Sequence, residues 1–89
     1  MKNPRALRRQ AVTTSAYVLV ETAVGKTKDV ARSLRASSGI KRVDVVTGPY
    51  DLVVQVEGES VNAIGELVTG QIHSVPGIDR TVTLIAVQI

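Results

Sequence analysis

No cysteine, phenylalanine or tryptophan occurs in the 89 residues, and histidine occurs once, at His73. The missing cysteines exclude disulfides, thiolate nucleophiles and cysteine-ligated metals. A lone His between Ile72 and Ser74 fits the end of a helix better than a catalyst or a metal ligand, so neither a metal nor a cofactor is expected. The core has to be aliphatic, because Tyr17 and Tyr50 are the only aromatic side chains. Long apolar runs are missing too. None approaches the ~20 residues of a membrane span, and the N-terminal MKNPRALRRQAVTTS lacks the roughly 7–15-residue apolar stretch of a secretory signal. A cytoplasmic protein with no membrane contact is expected.

Acids are absent from residues 1–15, which hold Lys2, Arg5, Arg8 and Arg9 and read as a flexible basic arm. Residues 16–89 carry seven Lys and Arg against eight Asp and Glu, so this single folded domain is expected not to offer a basic surface. Two partial motifs fail. Gly25-Lys26-Thr27 ends like a phosphate loop, but the leading Gly of GxxxxGK[ST] would fall on Val20. Glu59 and Glu66 are separated by Gly65 and apolar residues, which makes no paired-acid site.

What is present is a clear alternation of periods. AYVLVETAV from Ala16 reads as a strand, and residues 25–35 place Val30, Ala31 and Leu34 on one helical stripe. Ile40–Thr47 and Asp51–Glu57 read as an antiparallel hairpin turned by Gly48-Pro49-Tyr50. A second helix follows Glu59-Ser60 with Val61, Ile64, Val68 and Ile72 in line, and Thr81–Ile89 reads as the last strand. The halves echo each other: Ser38-Gly39-Ile40-Lys41-Arg42-Val43 returns as Pro76-Gly77-Ile78-Asp79-Arg80-Thr81, and at the same offset Val30 and Leu34 fall on Val68 and Ile72. A β-α-β-β-α-β order with this repeat predicts an α+β, ferredoxin-like sandwich, with two helices on one face of a four-stranded antiparallel sheet.

Strict alternation sends Val18, Val20, Val43, Val45, Leu52, Val54, Val56, Val82, Leu84 and Ala86 toward the helices. It sends Tyr17, Leu19, Val46, Val53, Ile85 and Val87 to the other face, among Glu21, Asp44, Gln55, Glu57, Thr81 and Thr83. An open sheet face this apolar predicts a homodimer in which two sheets stack, a dimeric α+β barrel.

Thr47-Gly48-Pro49-Tyr50-Asp51-Leu52-Val53 is the sharpest local signal. Physical chemistry alone leaves two readings open: a hairpin turn, in which Asp51 bonds nearby backbone N–H groups, or a site. This stretch, the topology, and Gly77-Ile78-Asp79-Arg80-Thr81-Val82-Thr83-Leu84 together resemble the effector-binding domain of the Lrp/AsnC family of amino-acid-responsive regulators. The resemblance spans residues 16–89 and implies the stand-alone form of that domain, since the arm before it is too short for a helix-turn-helix. It implies no enzymatic activity. It further implies dimers that pair through their sheets, rings of dimers, and a free amino acid bound between dimers. Gly48 would let backbone approach that ligand, Tyr50 would wall it, Asp51 would meet its ammonium group, and Thr81 and Thr83 would line the cleft. Modulation of transcription would be indirect, through full-length relatives, with no specific DNA binding by this chain itself. A departure from the family is that the chain stops at Ile89, where members often continue.

Two other readings share the fold. A dimeric α+β barrel enzyme acting on a small substrate would need a convergent polar set, for which only His73, Tyr17 and Tyr50 are on offer. An ACT-like regulatory domain is the nearest structural rival. Single-stranded RNA binding would need sheet-face aromatics that this chain lacks.

Overall fold

The computed structural model describes residues 13–87. The proposed arm lies outside the described residues as far as position 12, and Thr14 and Ser15 already belong to the first strand. The elements are β1 (Thr14–Thr22), α1 (Thr27–Arg35), β2 (Ile40–Val45), β3 (Leu52–Gly58), α2 (Val61–Leu67), a π-helical turn over Val68–Ile72, and β4 (Ile78–Ile85). One antiparallel sheet in the order β2-β3-β1-β4 carries both helices, which is the expected ferredoxin-like sandwich.

Each helix forms for local reasons. Val30, Ala31 and Leu34 of α1 are buried, while Asp29 in its first turn and Arg32 and Arg35 in its last complement the helix dipole. Ser60 caps α2, its Oγ accepting from the Ala63 N–H at 3.1 Å. The π turn closes with the His73 N–H donating to the Val68 carbonyl at 2.9 Å, and Ile64, Val68 and Ile72 stay in the core.

The sequence repeat is a structural repeat. Gly39 and Gly77 both take positive φ, +87° and +98°, between a helix and an outer strand. Each abuts the opposite half: a Cβ on Gly39 would stand 2.9 Å from Leu67 Cδ1, and one on Gly77 3.0 Å from both Lys26 Cβ and Val30 Cγ2. Both outer strands then bulge at the same place. Ile40 pairs with Val56 and Arg42 with Gln55, so Lys41 is an extra residue; Thr22 pairs with Ile78 and Glu21 with Arg80, so Asp79 is another.

The register reverses the expected faces of β4. Thr81, Thr83 and Ile85 lie opposite Val20, Val18 and Ala16, which are fully buried beneath the helices, whereas Val82 and Leu84 lie opposite Leu19 and Tyr17. Ile85 therefore leaves the open face to which alternation assigns it, together with Thr81 and Thr83, and Val82 and Leu84 take its place. The cause is coverage: α1 packs on β2, and α2 chiefly on β3 and β1, so beyond Ile78, which packs against the core, the helix side of the edge strand β4 is not a core position. Ala86 and Val87 follow β4 and are exposed, although the Ala86 N–H still donates to the Ser15 carbonyl at 2.9 Å. Val45 does face the helices, opposite Leu52, yet it is 57% exposed because β2 is the other edge.

Candidate functional site

The β2–β3 turn is tied to the end of β1. Its closing bond runs from the Val46 N–H to the Asp51 carbonyl at 2.9 Å, and the Asp51 N–H donates to the Val20 carbonyl at 2.9 Å. Gly48 sits at φ +145° with no atom within 4 Å of where a Cβ would stand, so the requirement there is conformational and not spatial.

The Asp51 carboxylate is engaged. Its Oδ2 accepts from the Thr22 backbone N–H at 2.8 Å and from Thr22 Oγ1 at 3.1 Å, and Thr22 Oγ1 lies 2.8 Å from Thr27 Oγ1. A carboxylate only accepts, so the Thr22 hydroxyl proton points to Asp51 and the Thr27 hydroxyl donates to Thr22. The relay joins the first residue of α1, the last of β1 and the hairpin. Asp51 thus serves a structural purpose between elements distant in the chain, and any ligand would meet a carboxylate already oriented by Thr22. Sequence reasoning missed Thr22 and Thr27, for which the available signal was a pair of hydroxyls flanking the Gly25 turn.

Thr81 and Thr83 stand apart from the hairpin. Leu52, Val20 and Thr81 form one row across the sheet, which puts Thr81 two interstrand spacings of ~4.8 Å from β3. Its hydroxyl lies 2.9 Å from His73 Nε2, within a cleft of about 340 Å³ also lined by Ile78, Asp79 and Arg80. His73 does stand at a helix end, as expected, but its ring bonds to a strand hydroxyl. Gly48, Tyr50 and Asp51 are therefore neighbours on one turn, while Thr81 and Thr83 belong to the helix side of β4; one chain does not gather all five around a single space.

The open face carries an apolar band. Asp44, Val53, Leu19 and Val82 make one row, and Arg42, Gln55, Tyr17 and Leu84 make the next. Tyr17 is 41% and Leu84 48% exposed. Ion pairs flank the band, Arg42 with Asp44 at 2.9 Å and Arg80 with Glu21 at 3.9 Å. Among the described residues no group of three His, Cys, Asp or Glu could hold a metal, and no helix is long and apolar enough to cross a membrane.

This architecture is shared with known regulators. An HTH-type transcriptional regulator of Pyrococcus abyssi, FL11, is 30% identical over 86 residues, covering 97% of this chain and 54% of its own. The chain spans about half the length of the curated relatives it matches. The solved structure of FFRP-DM1 is 36% identical with a TM-score of 0.78, covering 83% of this chain and 99% of its own; a Thermus thermophilus protein is 32% identical with a TM-score of 0.80, covering 85% and 95%. A Neisseria meningitidis transcriptional regulator solved as an L-Met complex shares the fold at 17% identity, with a TM-score of 0.78, 99% of this chain and 56% of its own being covered. The profile of the Lrp/AsnC ligand binding domain matches residues 15–89, and the chain belongs to that family.

Proposed function

We propose that this chain is a non-enzymatic amino-acid-sensing and oligomerisation module of the cytoplasm, which binds a free amino acid between dimers and modulates transcription indirectly. The observation that carries the reading is the match of residues 15–89 to a family defined by ligand binding. The L-Met held by the Neisseria relative supports an amino acid as the ligand class. Gly48, Tyr50 and Asp51 supply one wall, and the carboxylate of Asp51 meets the ammonium group while Thr22 holds it in place. Since Thr81 and Thr83 lie two strands away, their part in the site comes from a neighbouring subunit. Dimers form through the open face, now centred on Leu19, Val53, Val82 and Leu84 with Tyr17 beside them. Full-length relatives in mixed assemblies are the route to DNA, which this chain does not read specifically by itself.

A melting screen of the twenty amino acids tests the reading. A ligand at ~100 times its dissociation constant stabilises by about 2.7 kcal/mol, or several degrees in a domain this size. Absence of any shift, confirmed by calorimetry, would remove the sensing role and leave the hairpin as a turn.

A further inference from the structure

The near-neutral total of residues 16–89 conceals a strong segregation. Lys26, Lys28, Arg32, Arg35, Lys41 and Arg42 fall within residues 26–42 with Asp29 as the only acid. From Asp44 to Asp79 there are six acids and no Lys or Arg. The first stretch builds α1 and the start of edge strand β2, and the second builds β3 and α2. Several of these charges are answered locally, Arg32 by Asp29 at 3.5 Å, Lys41 by Glu57 at 3.6 Å and Arg42 by Asp44 at 2.9 Å, and the remaining excess of cations is concentrated on α1.

The repeat turns this segregation into opposed surfaces. At its offset Lys28 corresponds to Glu66, Lys41 to Asp79, Arg32 to Gly70 and Arg35 to His73. On α1, Lys28, Arg32 and Arg35 stand at i, i+4 and i+7, a like-charge stripe whose one local acid is Asp29, 3.5 Å from Arg32. They line a cleft of about 240 Å³ with Ala31 and Val45. On α2, Glu66 lines a wider groove of about 680 Å³ with Val61, Asn62, Thr69 and the two notches left by Gly65 and Gly70, and Glu59 lies just before the cap. Each surface also holds a valine that is 57% exposed, Val45 on one and Val61 on the other. The positions equivalent to Lys28 and Arg32 are Glu66 and Gly70, so the repeat does not require a cation at either; Arg35, by contrast, also donates to the Val43 carbonyl at 3.0 Å.

We propose that the α1 surface of one copy docks on the α2 surface of a second copy, Lys28, Arg32 and Arg35 facing Glu59 and Glu66, with Val45 and Val61 as the apolar part of the contact. Such a contact is head-to-tail, since α1 against α1 and α2 against α2 would juxtapose like charges. It uses neither the open sheet face nor the turn that carries Gly48, Tyr50 and Asp51, so it does not rest on the proposed function.

Sedimentation velocity of the full chain over a range of concentrations tests it. Mass above that of the sheet-paired species should grow with concentration at about 0.01 M salt, where the Debye length is ~30 Å, and be lost at about 1 M, where it is ~3 Å. Lys28→Glu and Glu66→Lys, both at exposed positions, should each abolish that growth while leaving the circular dichroism and melting unchanged. An equimolar mixture of the two variants should recover it, since each then supplies the charge the other has lost. Salt-independent mass, single variants that assemble like the parent, or a mixture that stays dissociated would each overturn the proposal. Leu84→Asp separates the surfaces: it should remove the sheet dimer yet leave the salt-sensitive step intact.

Discussion

Replacing Asp51 separates what it does for the fold from what it does for a ligand. Asp51→Ala deletes two hydrogen bonds to one carboxylate oxygen, from the Thr22 N–H at 2.8 Å and Thr22 Oγ1 at 3.1 Å. Bonds to charged groups contribute about 1.5–3 kcal/mol each, and this site is only part-buried, so the lower part of the range applies to the pair together: a loss of roughly 2 kcal/mol. In a domain of this size that lowers Tm by on the order of 10 °C. Asp51→Asn keeps an acceptor for the Thr22 N–H and loses only the charge, so about half of that cost is expected. Thr22→Val should cost about 1 kcal/mol and be non-additive with Asp51→Ala, because both remove the same bond. The assay is urea unfolding at one fixed protein concentration, since assembly would otherwise shift the midpoint. If Asp51→Ala unfolds within ~0.5 kcal/mol of the parent, the relay does not hold the hairpin. If Asp51→Asn binds an amino acid as well as the parent does, the carboxylate is not the ammonium partner.

Two further predictions come from the register and the backbone. Leu84→Asp should reduce solution mass in multi-angle light scattering, whereas Ile85→Asp, on the helix side, should not; the opposite result would restore the face assignment made by simple alternation. Gly77→Ala should destabilise by about 2–3 kcal/mol and Gly48→Ala by about 1 kcal/mol, because both have positive φ but only Gly77 also meets Lys26 and Val30 at 3.0 Å. Equal costs in thermal unfolding would mean that the helix yields without strain.

The element order was legible because the chain's periods change cleanly: Val30, Ala31 and Leu34 can share a stripe only on a helix, whereas Leu52, Val54 and Val56 share a face only on a strand. The orientation of β4 was not legible from alternation. TVTLIAV offers Val82 and Leu84 as the apolar set, and hydrophobicity alone points them inward. The repeat carried the correct answer, since Thr81 and Thr83 fall on Val43 and Val45, both on the helix side. Alternation failed because β4 lies at an edge the helices do not cover, so burial did not select its inward residues. The partner of Asp51 was hidden for another reason. Thr22 is far away in the chain, and the contact is set by the β1–β3 register, which no local motif encodes.

The repeat also sorts residues by what constrains them. Positions that fix the backbone agree in the two halves: a glycine with positive φ, a bulge shortly after it, and a side chain at the helix end reaching the same point on the outer strand. Arg35 Nη2 donates to the Val43 carbonyl at 3.0 Å, and His73 Nε2 meets Thr81 Oγ1 at 2.9 Å, both partners being displaced by the same repeat offset. The chemistry of that last contact differs, because a guanidinium only donates and takes the backbone carbonyl, while an imidazole pairs with a hydroxyl. The second half places a hydroxyl where the first has Val43, and the bond to His73 gives that hydroxyl a partner without a ligand. A role for Thr81 in binding therefore has to come on top of a bond it already makes, as it does for Asp51. Two of the residues picked out for a site, Asp51 and Thr81, thus also tie neighbouring elements together, so a ligand that engaged them would act directly on the hairpin and on the α2–β4 junction.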